Sequence, residues 1–504
     1  MAHLTHLPDE ILAYIAHHLQ RRDIAAALQT CHQLQQALIS ELWKTFSLKA
    51  FPLALDGGYP VDTITARAHW VRRLEYSGTL PPAYYNITFP NLVALRVNFC
   101  TSAETKDNSR DTQVLPKQDW GYTTLIRLNP TIKDLHVDSG SLETSCNFWK
   151  TVFVALQSPQ RLDFNRFEVV RGEALDSFWR AATRFEEVCC SGCGMNDSAV
   201  LSTLSFPRLQ RLTVDMRTHV SRRSASGGNL EWFCKCPNLT QLHWHALHTE
   251  LSTEAFAEQL EQQTWPRLTD LALTGYNGPD ALLSLAIRQL PPLEHFRLDA
   301  ARFGPQGFLY LRGRLFDTIR TLDLEKCHGL GSKMVLEVLT GCPRLEVFKA
   351  FCISVSDLRT NPEPWVCLRL KHLEVFFAAD HTDPNDGELA FEQLSRLTRL
   401  ETLDLNARGW TLHWKIFSRL KRQGSLQWRL DSGLRHLSTL RRLRTLVIDS
   451  SFHDTRLEDL QWMLDHWPVL QKLTCSLLPD PVTRKQFVEL FRQHNVSLEL
   501  EDGW

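Results

Sequence analysis

Any chemistry in this chain would have to come from a few short side-chain groupings. Cys190-Ser191-Gly192-Cys193 has the C-x-x-C spacing of zinc ligands or a redox pair, and Cys234 and Cys236 form a C-x-C. Either use needs further ligands or a thioredoxin-like strand–helix–strand setting. His243 and His245 flank Trp244, so on a strand both imidazoles leave the same face, open to a metal or to plain surface contact. His17 and His18 sit together near the start. Arg223 and Ser226, in SRRSASGG, suit a basophilic kinase, although a solvated loop explains that stretch as well. No phosphate loop, dinucleotide fingerprint, nucleophile elbow or H-E-x-x-H occurs, so spacing supports no catalytic class.

Composition narrows the setting. The 504 residues carry 56 Lys plus Arg against 57 Asp plus Glu, a formal charge of −1. A dedicated nucleic-acid binder usually shows a basic excess, because phosphate neutralisation supplies most of its affinity. No apolar run approaches the roughly 18 residues that span a bilayer, so no membrane partner is expected. MAHLTHLPDEIL lacks the charged and apolar regions of a secretory signal. Thirteen cysteines, an odd number, read as reduced thiols of the cytosol or nucleus.

The elements that would position these groups come from a repeat. A Pro or apolar residue followed by x-L-x-x-L-x-L recurs, as in FPNLVALRV (89–97), FPRLQRLTV (206–214), CPNLTQLHW (236–244), CPRLEVFKA (342–350) and WPVLQKLTC (467–475). The central apolar residues are Leu74, Leu95, Leu135, Leu162, Val188, Leu212, Leu242, Leu271, Phe296, Leu322, Phe348, Leu373, Leu403, Leu446, Leu473 and Leu498. From Leu135 to Leu403 they are spaced by 24 to 30 residues, within the leucine-rich-repeat range. L-x-L sends two apolar side chains to one face of a short strand. Ser332–Leu339 and Thr253–Leu260 have the apolar stripe of a helix. The expected fold is α/β: about 16 repeats in a curved solenoid, with a parallel sheet inside and helices outside. Cys100, Cys193 and Cys327, each five residues after a centre, fill a buried small polar place at the strand end. Cys236 and Cys342 fill the apolar slot before Pro. Irregular insertions fall at about 101–120 and 408–438, and in the second LQWRL (426–430) alternates like an extra strand.

Residues 1–50 lack the repeat. Ile11, Leu12, Ile15 and Leu19 make a helical stripe after Pro8. Asp23 is placed to cap a second helix carrying Ile24, Leu28, Cys31 and Leu34. Ile39, Leu42, Trp43 and Phe46 make a third, short segment. Such a unit has too little core to stand alone. Leu7-Pro8-Asp9-Glu10-Ile11-Leu12 resembles the L-P-x-E-I-L opening of the F-box, and Ile15, Leu19, Asp23-Ile24, Leu28, Cys31-His32 and Leu42-Trp43 continue that family's pattern. Leu34 stands near where the family often has a Trp. With the repeats and Trp467-Pro468-Val469-Leu470, the whole chain is similar to fungal F-box/leucine-rich-repeat proteins. The expected organisation is an F-box domain at 1–50, a linker at 51–69 and repeats at 70–504.

The resemblance implies a non-catalytic substrate receptor of a Skp–cullin–F-box ubiquitin ligase. Its partners would be a Skp-family adaptor, through it cullin and RING subunits, and a protein substrate. No cofactor or metal is implied. Expected adaptor contacts, or supports for them, are Leu7, Pro8, Ile11, Leu12, Ile15, Leu19, Ile24, Leu28, Leu34 and Trp43. Two other classes stay open: a repeat scaffold or inhibitor with a helical cap, and a regulator such as a GTPase activator. Outward strand positions, one before, one after and three after each centre, hold 15 acidic and 7 basic residues, which favours a substrate with a basic segment. The expected substrate contacts are Asp215, His243, His245, Asp270, Asp299, Asp323, Glu325, Phe351, Glu374, Asp404 and Asp449.

Overall fold

The computed structural model describes residues 7–47, 61–77, 82–98, 121–138, 145–165, 173–191, 200, 203–215, 235–245, 250–276, 278–379, 385–405, 426–448, 455–476 and 481–501. Cys100, Cys193, Arg223, Ser226, Cys234, Asp449 and the insertion at 101–120 lie outside them. Among the described residues no helix is long and apolar enough to cross a membrane. The chain divides into two units, Met1–Thr240 and Gln241–Trp504.

The first unit opens with three helices, α1 (Asp9–His17), α2 (Arg21–Leu28) and α3 (His32–Lys44), and runs directly into strand β1 (Thr45–Ser47). A short helix α4 (Val61–Arg67) follows. Then come β2 (Arg73–Ser77), β3 (Ala94–Asn98), α5 (Tyr122–Leu128), β4 (Asp134–Asp138), α6 (Cys146–Ala155), β5 (Arg161–Asn165), α7 (Glu173–Ala182), β6 (Glu187–Ser191) and β7 (Arg211–Asp215). Each strand from β1 to β7 pairs in parallel with the next.

The second unit has β8 (Gln241–His245), α8 (Glu250–Glu261), β9 (Asp270–Tyr276), α9 (Asp280–Arg288), β10 (His295–Ala300), α10 (Pro305–Leu315), β11 (Thr321–Asp323), α11 (Ser332–Gly341), β12 (Val347–Ser354), α12 (Val355–Thr360), β13 (His372–Ala378), α13 (Asn385–Ser395), β14 (Thr402–Asp404), β15 (Thr445–Val447), α14 (Leu457–His466), β16 (Lys472–Ser476), α15 (Pro481–Gln493) and β17 (Ser497–Glu501). Its strands pair in parallel from β8 to β17. The stripes expected at Thr253–Leu260 and Ser332–Leu339 lie in α8 and α11.

The repeat centres set the register within each unit. Leu74 pairs with Leu95, Leu95 with Leu135, and Leu162 with Val188 in the first. In the second, Leu271 pairs with Phe296, Phe348 with Leu373, and Leu446 with Leu473. Every centre is buried except Leu498, half-covered on the last strand of its unit. At most steps within each unit one carbonyl accepts the two N–H groups that start the next strand, as Val93 O does from Lys133 at 2.8 Å and Asp134 at 3.0 Å. Helices close the inward side. Trp149 of α6 meets Phe164 of β5 at 5.6 Å and Phe178 of α7 at 4.8 Å between ring centroids. Trp244 of β8 points inward onto Phe256 of α8 at 5.6 Å. The helix layer is also tied laterally. Asp280 at the start of α9 accepts the N–H groups of Gly304 and Gln306 at 3.0 Å and of Gly307 at 3.2 Å, capping α10. A Cβ on Gly307 would come within 2.7 Å of that carboxylate.

Four details depart from the sequence reading. LQWRL (426–430) is not a strand. Its alternation survives as burial of Leu426 and Trp428, but β14 and β15 pair directly, Leu403 with Leu446, which leaves no lane between them. The third helix is longer than expected, starting at His32, and Phe46 belongs to β1, so the range 1–50 ends in the sheet. Asp23 lies in the first turn of α2, which Gln20 precedes as cap. Phe351 is buried rather than outward, at a bulge in β12. Cys236 and Cys342 are buried as expected, and the buried Cys327 thiol donates to Leu298 O at 3.3 Å.

One buried polar residue was not singled out from sequence. Asn129 accepts from the Phe89 N–H at 2.6 Å and donates to Leu125 O at 2.7 Å and Ile87 O at 3.3 Å, tying together residues 40 apart. Each orphaned buried group costs roughly 1–3 kcal/mol. Asn129→Ala is therefore expected to lower stability by about 2–4 kcal/mol. Asn91→Ala, which removes an exposed bond to His69 O, should stay within about 0.5 kcal/mol. Urea unfolding of the full chain compares them.

Candidate functional site

The helices α1–α3 wrap a core of Leu12, Ala16, Ile24, Leu34 and Leu38, against which Leu7, Leu28, Cys31 and Leu42 pack part-buried. This divides the expected adaptor residues. Leu12, 1% exposed, Ile24 and Leu34 hold the helices together. Trp43 is also buried, stacked on Phe46 at 5.4 Å, with the Arg67 guanidinium 4.8 Å from its ring, so it ties α3 to β1 and α4. Leu7, Ile15 and Leu28 are half-buried and Pro8 is exposed. Ile11 is 46% exposed, Leu19 40% and Tyr14, not picked out from sequence, 66%. Ile11 and Tyr14 are three apart, so they share one side of α1, and the His18 ring stands edge-on to Tyr14 at 5.0 Å. The apolar stripe read from sequence is thus two adjoining surfaces, one inside and one outside.

The second surface is the outward side of the sheet. In the first unit Arg161 and Arg211 both reach Glu187, at 3.4 and 2.9 Å, and His136 reaches Asp163 at 3.0 Å. Asp215 is half-buried at the end of β7. In the second unit His243 meets Asp270 at 3.3 Å, and His245 meets Thr274 Oγ1 at 2.5 Å. Arg297 pairs with Asp323 at 3.3 Å, Lys326 with Asp299 at 3.6 Å and Lys349 with Glu374 at 2.7 Å. Asp404 is half-buried on β14. Apart from Lys326, in the turn after β11, these side chains stand on neighbouring strands, so in each unit the outward side is a ladder of cross-strand ion pairs rather than a row of bare carboxylates. Glu325 alone of the expected acidic contacts between Asp270 and Glu374 makes no ion pair among the described residues. Burial, then Glu374 and Asp323, push its carboxyl up.

Phe351 does not join this strip as an exposed contact. A bulge in β12, where the pairing with β13 shifts between Lys349 and Cys352, leaves it 8% exposed in a small cluster with Cys352, Phe376 and Ala378. Cysteine chemistry gains no support. Cys190 is fully buried, and its neighbour Cys189 is pushed up to about 12 by burial and by Asp163, so its thiolate is scarce at neutral pH.

Residues 4–49 match the family model described as F-box-like. The N-terminal module is an F-box-like domain. The parallel repeats that follow it have the build of leucine-rich repeats. Among solved structures the chain is similar to one in the Toll–Spatzle complex, a molecular hub in Drosophila development and innate immunity. The match has 12% identity and a TM-score of 0.37 and covers 81% of this chain and 47% of that one. The chain therefore spans about half the length of that structure. It is also similar to a Bacteroides fragilis protein at 15% identity and a TM-score of 0.25, covering 53% of this chain and 66% of that one. No curated protein matches.

Glu374 offers a readout of the ladder. The His372 ring at 3.7 Å and the Lys349 ammonium at 2.7 Å hold its carboxyl down to about 2 against the opposing effect of burial. A depressed native value stabilises the fold above the ordinary carboxylate range, near 4.5, and that contribution is lost as pH falls towards 2. Glu374→Gln is expected to be less stable than wild type at pH 7, with the gap closing in acid. Urea midpoints across pH check this.

Proposed function

We propose that the chain is the substrate receptor of a Skp–cullin–F-box ubiquitin ligase, working in the cytosol or nucleus. The F-box-like domain docks on a Skp-family adaptor, and the repeats hold a protein substrate. The chain makes and breaks no bonds. It raises the substrate's effective concentration beside the ubiquitin-charged enzyme that the cullin and RING subunits bring. The carrying observation is the exposed apolar face of α1, Ile11 and Tyr14 beside Pro8, on an F-box-like domain that runs without a break into the repeat sheet. Apolar side chains left out of so small a core are what a docking surface requires.

A second reading is favoured by one observation. The β1 strand pairs with β2, Phe46 opposite Leu74, so the N-terminal helices also cap the repeat stack, as solenoids need. A scaffold without a ligase role would use them only for that. Binding of a purified Skp-family adaptor, followed by calorimetry, decides between the two. The wild-type chain is expected to bind. Ile11→Ala and Tyr14→Ala should each weaken binding by about 1–3 kcal/mol and leave unfolding unchanged. Leu12→Ala should lose binding together with about 2–5 kcal/mol of domain stability. No binding by wild type would leave the capping role alone.

The second unit supports a finer reading of the substrate. Its described outward positions hold eight carboxylates (Asp270, Asp299, Asp323, Glu325, Glu374, Asp404, Glu499 and Glu501) against Arg297, Lys349 and Lys472. A basic segment of the substrate lies along this strip, with Glu325 the acceptor left over from the ion-pair ladder. Substrate affinity is expected to fall with added salt, and Glu325→Gln to weaken it by about 1 kcal/mol. Binding indifferent to both would remove the basic segment from the proposal.

A further inference from the structure

A groove in the first unit lies between the F-box-like helices and the starts of β2, β3 and β4, as a cavity of about 480 Å³. Its floor is apolar, with Leu19 and Val93 partly exposed and Ile24 and Leu42 also lining it. Its rim carries Arg21, Arg72 and Arg73, all exposed. A second cavity, of about 210 Å³, shares Arg73, Ala94 and Asp134 with the first and continues it along the outward face of the sheet, where Arg96 joins the lining. Exposed arginines are ordinary on a protein surface. These four differ from Arg161 and Arg211 on the same face, which reach carboxylates on neighbouring strands. Among the described residues Arg21, Arg72, Arg73 and Arg96 make no ion pair, while Lys44 in the same groove is occupied by Glu41 at 3.1 Å. Two carboxylates there, Glu75 and Asp134, likewise have no ion-pair partner among the described residues, so the groove keeps a cationic excess over an apolar floor.

We infer that this groove binds an acidic peptide segment of a partner protein. Its carboxylates meet the arginine rim and an apolar side chain settles on Leu19 and Val93. Guanidinium groups grip carboxylates in bidentate fashion. A peptide alternating acidic and apolar residues matches both the rim and the floor. Nucleic acid would use the rim but leave the apolar floor of Leu19 and Val93 empty. The adaptor is assigned to another face, because Ile11 and Tyr14 on the exposed side of α1 do not line the groove, and of the residues expected to touch or support the adaptor only Leu19 and Ile24 do. The inference goes beyond the adaptor reading and does not depend on it.

The test is fluorescence anisotropy on the full chain with short labelled peptides: one alternating glutamate and leucine, its glutamine counterpart, and one alternating glutamate and serine. Single-stranded DNA serves as a further probe. The glutamate–leucine peptide is expected to bind best, more weakly as salt rises. Arg72→Glu/Arg73→Glu should weaken it about tenfold or more. The independent pair Arg21→Glu/Arg96→Glu should weaken it in the same direction. All these positions are exposed, so unchanged circular dichroism is expected and separates lost binding from lost fold. Both pairs should keep adaptor binding, and Ile11→Ala/Tyr14→Ala should keep peptide binding, so this inference and the adaptor reading fail separately. Equal binding of the glutamine peptide, binding that survives both reversals, displacement of the peptide by the adaptor, or tighter binding of the DNA would each overturn it.

Discussion

The structure depends on keeping one apolar residue per repeat in line with its neighbour on the next strand. A single repeat such as that of Leu135 or Leu322 has one short strand and one described helix, too little to enclose its central leucine. The pairings of Leu135 with Leu162 and of Leu322 with Phe348 enclose them because each repeat supplies one wall of the next one's core. A slip of one residue would turn the whole apolar set outward. This is why the register holds even where the connections vary greatly in length, as between Leu403 and Leu446. The ends of the series show the same constraint from outside. Leu498, on the last strand, is only half-covered, whereas Leu74 is buried beneath β1, the strand that the N-terminal domain contributes.

That inward constraint frees the outward face. Strand alternation places every second side chain where packing makes no demand on it, and the chain uses those positions for charge. Most of that charge is spent locally, across neighbouring strands, in contacts such as Arg297 with Asp323 and Lys349 with Glu374. The exposed members of this ladder contribute little to stability, unlike the half-buried Glu374, whose carboxyl Lys349 and His372 hold down. Their consequence here is selective: charges without a partner mark the places where an incoming chain would find an interaction unspent. Glu325 is such a place in the second unit, and the arginines around Arg73 are such places in the first.

The F-box-like domain meets the opposite difficulty. Its core of Leu12, Ala16, Ile24, Leu34 and Leu38 is small, and chains of this size rarely fold on packing alone. Trp43, Phe46 and Arg67 join it to the start of the repeats, so the sheet supplies the support that the helices lack. The domain can then leave Ile11 and Tyr14 uncovered without losing its shape.

The repeat was legible in the linear sequence because its signal is periodic. Each centre is an apolar residue two positions from another, and all sixteen lie on the strands where that spacing puts them. The F-box-like opening was legible for a similar reason, through a short run of residue types at fixed spacing. Sequence failed where position alone cannot report a neighbour. LQWRL alternates as a strand does, yet the pairing of β14 with β15 leaves it no lane. Phe351 occupies an outward place by count, yet a bulge buries it against Phe376. Ile11 and Leu12 are adjacent and equally apolar, and only the packing of α1 on α3 turns one to solvent and the other to the core. The sequence by itself determined the strand centres, the helical N-terminal module and the overall balance of charge, since these follow from residue type and interval. Tertiary structure alone decided which charges cancel and which apolar side chains stay exposed, because both depend on contacts between residues that the chain brings together only when folded.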